Sequence, residues 1–275
     1  MTMTSVRSRL PFPTIRPLWP AIPLAMALAQ VPASAQPRPD VLHALEAKGM
    51  TIAGTFPSAG GLTAWAAHAG RQAVALYATP DGKHVIAGIL LDAKGNEIDQ
   101  PMLEKTVSQP MSDRTWSQLE KSNWIADGSD RAPRVVYVFT DPNCSYCNKL
   151  WADARPWVEA GKVQLRHIPV AVLGASSADK AAKLLSDKNP AAALAAYERA
   201  KLKAPAGRTQ TGDNQAKTLT PISAQARAQL DHNEKLMETL RLRATPGIVW
   251  RDANGAIQMR TGAPDSALPG IFGAR

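Results

Sequence analysis

Apolar positions along this chain alternate between helical and strand-like spacing, and the changes between the two outline its elements. Residues 41–48 carry apolar side chains about a turn apart and stop at Gly49, which predicts a short helix. Four strand-like runs follow, at 51–56, 62–69, 71–79 and 84–91. Asp81-Gly82 between the last two is a strong hairpin signal, and Ala69-Gly70 is a weaker one. Residues 103–125 return to helix-forming composition with Trp116, Leu119 and Trp124 as apolar positions, and Ser112 ahead of Thr115 and Trp116 reads as a fresh helix start. Gly128, Ser129 and Pro133 then mark a boundary.

Beyond it lies Val135-Val136-Tyr137-Val138-Phe139-Thr140, a β-branched and aromatic run that predicts a buried strand, broken by Asp141-Pro142-Asn143. A helix should start there and run to Glu159, with a kink at Pro156 and a stop at Gly161. Residues 163–170 predict the next strand, with Pro169 at its end. From 178 to 240 nearly everything favours helix: 181–185, 191–203 and 223–242, punctuated by Pro190, Pro205 and a polar loop at 207–213. Residues 247–251 and 256–260, joined by Asp252-Ala253-Asn254-Gly255, predict a second hairpin, and Asp265-Ser266 a cap for a last short helix. The pattern divides the chain into a small α+β unit at 36–100, a linker helix at 101–130 (a helix packed on the unit that follows is the other reading), and an α/β unit at 131–275 with a helical insert at about 175–242.

The chemistry sits where the buried strand ends. Cys144 and Cys147 are the only cysteines, and their spacing puts Cys144 at a helix N-terminus and Cys147 inside its first turn. Unpaired N–H groups and the positive end of the helix dipole favour an anion there, so they favour the Cys144 thiolate, the attacking species in disulfide exchange. Cys147 can then attack the mixed disulfide and release the partner. Two other readings exist. Half a zinc site lacks the second cysteine pair it would need, and a purely structural disulfide would close too small a loop to gain much chain entropy. Burial a turn inward should leave Cys147 the less acidic thiol, with Cys144 the more exposed. His43, His68 and His84 are scattered singly and read as ordinary surface or interface residues.

The N-terminus changes the setting of those thiols. Arg7, Arg9 and Arg16, an apolar stretch at 18–29 and Ala33-Ser34-Ala35 make residues 1–35 a secretory signal cleaved near Ala35. Its prolines and shortness argue against an anchor, and no later stretch approaches a membrane span. An exported chain that keeps its two cysteines in one motif needs a core large enough to dispense with staples, which its length permits. Losing the signal's three unmatched arginines takes the formal charge from +9 to +6. With no Lys/Arg run interleaved with aromatics, nucleic acid is not an expected partner.

The segment Phe139-Thr140-Asp141-Pro142-Asn143-Cys144-Ser145-Tyr146-Cys147 resembles the active site of the periplasmic disulfide isomerases, the DsbC/DsbG family of the thioredoxin fold. Ala244-Thr245-Pro246-Gly247 before a strand resembles that family's cis-proline loop, and the DsbG branch is the more similar. Residues 162–166, 231–237 and 79–84 carry the same likeness, and the second cysteine pair usual in DsbC-like chains is absent. Ser145 departs from the proline frequent at that position, so the redox poise does not carry over. The resemblance implies a thioredoxin-like catalytic domain with a helical insertion, preceded by a small α+β dimerisation domain and a linker helix. It implies Cys144 as nucleophile, Cys147 as resolving thiol, and a cis Thr245–Pro246 bond whose backbone orients substrate.

The expected protein is then a periplasmic, homodimeric thiol-disulfide isomerase or reductase without a cofactor or metal. Its clients would be unfolded, misoxidised or sulfenylated exported proteins, and a membrane reductase of the DsbD type would return its dithiol. A DsbA-like oxidant shares the motif but is normally monomeric and lacks the N-terminal unit. A chaperone-like client-binding protein with incidental cysteines is the third reading.

Overall fold

A computed structural model describes residues 38–203 and 222–274. The secretory signal and the 207–213 loop anticipated above lie outside the described residues. Pro39 onward forms one compact unit containing two sheets.

The first sheet is an antiparallel meander of β1 (Thr51–Pro57), β2 (Thr63–Ala69), β3 (Gln72–Ala78) and β4 (Val85–Gly88). Helix α1 (Asp40–Ala47) covers one face, packing Leu42 against Trp65, Ala67, Leu76 and Ala78. On the other face Leu103 and Val107 pack on Phe56, Ala64, Ala66 and Tyr77. Both faces of β2 are therefore buried, which is why Ala64-Trp65-Ala66-Ala67 reads as a continuous apolar run rather than an alternating one. Past this, Ile86 and Ile89 on and after the edge strand β4 stay exposed, at 63% and 66%.

The linker is helical only to Glu120. Helix α2 (Gln100–Leu103) passes through a widened π turn (Glu104–Ser108) into α3 (Gln109–Glu120). Pro110 has no N–H to donate to the preceding turn, and the helix passes it through the widened turn. Ser112 is not a helix start. It lies inside α3, buried, and its Oγ accepts the Ile257 N–H at 3.2 Å. Arg251 adds an ion pair to Asp113 at 2.9 Å and stacks on Trp116.

Ile125 to Asp127, expected as the tail of the linker helix, is strand β5. It pairs antiparallel with β7 (Val163–Pro169) and opens the second sheet, ordered β5-β7-β6-β8-β9. Gly128 explains how so short a strand is possible. Its φ is +107°, and a Cβ there would stand 2.8 Å from the Val163 carbonyl, so the chain can leave β5 only through glycine.

Strand β6 (Arg134–Thr140) is central, parallel to β7 and antiparallel to β8 (Gly247–Arg251), which pairs with β9 (Ile257–Thr261). Val136 and Val138 face Leu150, Trp157, Ile271 and Phe272, whereas Tyr137 and Phe139 face Ile168, Leu236, Met237 and Leu240. Burial on both faces matches the unbroken apolar run. Helices α4 (Ser145–Asp153) and α5 (Arg155–Glu159) follow β6, and they separate at Ala154, just before Pro156. The insert between β7 and β8 holds α6 (Ala175–Ser186), α7 (Pro190–Lys203) and α8 (Ala224–Thr239). A 3-10 turn at Asp265–Ala267 leads into α9 (Leu268–Phe272), and no side chain caps either, so Asp265 and Ser266 do not act as the expected cap.

Candidate active site

The C-terminal end of β6 delivers the chain into a tight turn. The Cys144 N–H donates to the Asp141 carbonyl at 2.9 Å, and α4 starts at the next residue with Cys144 as its N-cap. Here sulfur does what a serine or aspartate oxygen usually does at that position: Cys144 Sγ accepts the Cys147 N–H at 3.2 Å. Both thiols are reduced.

Their acidities diverge. Hydrogen bonding from the Cys147 thiol, chiefly, brings the Cys144 pKa down to about 6 against the opposing effect of burial, with help from Thr245 and the Cys147 and Tyr146 N–H groups. The Cys147 thiol is pushed far up by burial first, and then by the neighbouring Cys144 sulfur. Exposure does not separate them as anticipated. Cys144 is 4% exposed and Cys147 3%, because the Thr245 loop closes over the first sulfur as the helix closes over the second. Ser145 and Tyr146 between them are both exposed, Tyr146 at 72%.

The Thr245–Pro246 bond is cis, and the loop lies against Cys144, whose thiol donates to the Thr245 carbonyl at 3.4 Å. The Pro246 carbonyl accepts the Gly262 N–H at 2.8 Å, tying the loop to the end of β9. Thr245 Oγ1 is buried with no other hydrogen-bond partner, which leaves it available to the sulfur. All four residues singled out from the sequence (Cys144, Cys147, Thr245 and Pro246) thus meet at one place.

What the sequence did not reveal is how that place is held. Asp141 is fully buried, and its carboxylate accepts from the Asn143, Val172 and Leu173 N–H groups and from Ser177 Oγ, all at 2.8–3.0 Å. It binds the start of the turn to the segment after β7. Asn143 reaches Ser176 and Ser177 at the start of α6, and Lys180 donates to its Oδ1. From α7, Tyr197 and Lys201 donate to the Pro142 carbonyl, Lys201 donates to the Cys144 carbonyl, and buried Glu198 accepts from Asn148. The signal available was Asp-Pro-Asn itself, whose aspartate is a frequent turn former. Only the Asn143 N–H is local; its other three partners come from 31 to 36 residues away and leave no local trace.

A second buried polar cluster also escaped notice. Asp127 on β5 pairs with Arg155 and with His167 Nε2 at 3.3 Å. Burial alone would raise the Asp127 pKa, but hydrogen bonds from His167 and Arg155 outweigh it and hold the carboxylate well below its ordinary range. Among the described residues no group of three or more His, Cys, Asp or Glu could hold a metal ion, and no helix is long and apolar enough to cross a membrane.

Residues 126–267 match the family model of the thioredoxin-like domain. The chain is 43% identical over 253 residues to the thiol:disulfide interchange protein DsbG of Pseudomonas aeruginosa, covering 92% of this chain and 95% of that relative. It is 36% identical over 253 residues to DsbG of Escherichia coli, covering 90% and 96%. Likeness to Escherichia coli DsbC is narrower: 32% over 120 residues, or 42% of this chain and 48% of that one.

Proposed function

The chain belongs to the DsbG family of thiol:disulfide interchange proteins, and on that premise we propose how its residues divide the exchange and what it acts on. Cys144 is the nucleophile. Its thiolate attacks one sulfur of a client disulfide, the S–S bond breaks, and the other client sulfur leaves as a thiolate that takes a proton. A mixed disulfide now joins Cys144 to the client. In isomerisation a second client thiol attacks it, returning Cys144 as thiolate with no net redox change. In reduction Cys147 loses its proton and attacks Cys144 Sγ, releasing the client thiol and leaving a Cys144–Cys147 disulfide. A sulfenic acid enters the same route: Cys144 displaces hydroxide from the client sulfur, which leaves as water. The two electrons lost in either reduction return from a dithiol donor, a membrane reductase of the DsbD type.

Thr245 and Pro246 orient the client. Backbone groups of that loop can pair with an extended segment of any sequence, which suits an enzyme with many clients. The observation that carries this reading is the place of the Cys144 sulfur at the N-cap of α4, accepting the Cys147 N–H at 3.2 Å, which goes with a pKa brought down to about 6 while burial pushes Cys147 the other way. Only the first is nucleophilic at neutral pH.

The surroundings follow from the same reading. Residues 1–35 direct export to the periplasm, 36–100 dimerise, 101–130 link, and 131–275 catalyse. The exposed Ile86, Ile89 and Leu91 along and beyond the β4 edge favour pairing of two first sheets.

Trapping tests the division of labour. Full-length Cys147→Ser should accumulate a stable mixed disulfide between Cys144 and a disulfide-bonded or sulfenylated client, whereas Cys144→Ser should accumulate none. Capture at Cys147 in the second variant would refute the assignment. A Cys144–Cys147 pair found mostly oxidised in cells would favour a DsbA-like oxidant instead.

A further inference from the structure

Helix α7 places Tyr197 and Glu198 four and three residues ahead of Lys201, the spacings at which helical side chains are neighbours, and all three meet the turn carrying the reactive cysteine or the helix that follows it. Lys201 reaches furthest. Its Nζ donates to the Pro142 carbonyl at 2.7 Å and to the Cys144 carbonyl at 3.0 Å. The Cys144 carbonyl already accepts the Asn148 N–H at 3.3 Å, so the ammonium is a second donor on it. We propose that Lys201 is a positioning residue of the exchange reaction: from the helical insert it clamps the turn at Cys144 and favours the thiolate there. The inference rests on the reading of Cys144 as nucleophile.

Four bonds separate the Cys144 carbonyl oxygen from Sγ, which places the ammonium at most roughly 7 Å from the sulfur, inside the screening length of physiological salt of about 8 Å. The path between them runs through half-buried and buried groups, where a charge acts more strongly than in water. Other charges face the same turn. Glu198, buried on α7, is the opposing one, and its carboxylate is hydrogen-bonded by Asn148. Asp141 at the end of β6 spends its oxygens on four donors. Lys180 on α6 touches the side chain of Asn143 rather than the cysteine backbone, and Arg243 ahead of the Thr245 loop points to solvent. Lys149 on α4 is engaged with Asp153 and Asp265. Among the described residues, Lys201 is the cation hydrogen-bonded to the nucleophile's own peptide group.

Tyr197 makes the test decisive. Its hydroxyl holds the same Pro142 carbonyl, at 2.8 Å, without a charge. The reduced full-length protein is alkylated across pH 4.5–9 and the modified cysteine identified by peptide mapping. Lys201→Met should raise the apparent pKa of Cys144 by roughly half to one unit and slow its alkylation near pH 5.5 about three- to ten-fold, with wild-type rates recovered at pH 9. Lys201→Arg should restore most of the wild-type profile, and Tyr197→Phe should leave the pKa in place. If Lys201→Met does not fold, Lys201→Gln removes the charge with a smaller change in polarity and must show the same displacement. A folded Lys201 variant that titrates as wild type overturns the proposal. So does a Tyr197→Phe profile displaced as far as that of Lys201→Met, since the clamp alone would then suffice. Alkylation of Cys147 ahead of Cys144 in the wild-type protein would instead overturn the nucleophile assignment beneath it.

Discussion

Replacing Cys144 with alanine should change how the stability of the reduced protein depends on pH, and the size of the change follows from the site. The folded thiol has a pKa of about 6 against an ordinary value of 9.0. Between those two values the unfolded chain holds a proton that the folded chain has released, so folding is favoured increasingly as pH rises through that window. The contribution is absent below pH 6, where both states are protonated, and it is lost as pH falls through the folded pKa. Integrating the linkage gives about 1 kcal/mol gained between pH 5 and pH 7, and about 2–3 kcal/mol by pH 8. Cys147 acts in the opposite sense, because its raised pKa keeps a proton that the unfolded chain sheds above pH 9, so stability should turn down again there. Urea unfolding of reduced wild type and Cys144→Ala at pH 5, 6, 7 and 8 isolates the first effect, since every other group titrates in both. The wild-type advantage should climb by roughly 1 kcal/mol per unit between pH 6 and pH 8. A difference that stays flat from pH 5 to pH 8, or falls, would show that the folded site does not stabilise the thiolate.

Two further substitutions probe the frame around the site. Gly128→Ala, with φ at +107° and its new Cβ 2.8 Å from the Val163 carbonyl, should cost about 2–4 kcal/mol in urea unfolding while leaving the pH profile of Cys144 alkylation unchanged. Arg155→Met strips one partner from the partly buried Asp127, which keeps His167, and should cost about 1–3 kcal/mol at pH 7, with a smaller loss near pH 4 where the freed carboxylate takes up a proton more readily. An equal loss at both pH values would mean that packing of the long side chain against Trp151, not charge, is what Arg155 contributes.

Elements built on one strong periodicity were legible in advance. The strands at 51–56, 62–69 and 71–79, the buried run before Cys144 and the Asn254-Gly255 hairpin all stand within a residue or two of their expected positions. The motif Cys144-Ser145-Tyr146-Cys147 and the Thr245-Pro246 loop were visible because each is chemically distinctive over a few residues. Failures came where structure depends on partners distant in the chain. Ile125-Ala126-Asp127 has no alternation to mark it, and it is a strand because β7 presents a free edge and Gly128 lets the chain turn away. Ser112 resembled a cap, and its hydroxyl instead serves the Ile257 N–H 145 residues on. Equal burial of the two thiols was hidden for the same reason: the cover over Cys144 comes from a loop 101 residues away.

That last point decides how the site discriminates between its own sulfurs. If Cys144 were simply the accessible thiol, any loosening of the helix over Cys147 would let the second cysteine compete. With both nearly covered, exposure separates them little, and the choice falls to electrostatics: the Cys144 sulfur receives the helix N–H groups and the hydrogen bond of the Cys147 thiol, whereas burial keeps the proton on Cys147. Such a choice depends on direction more than distance, because N–H dipoles stabilise an anion only while they point at it. The turn at Asp141–Cys144 must therefore be held rigidly. Its anchors come from the segment after β7, from α6 and from α7, all in the region between the strands that flank the cysteine pair in space. The helical insert is thus more than a length of chain added to the sheet. It sets the orientation on which the acidity of Cys144 depends, and a mutation there can alter the chemistry without touching either cysteine.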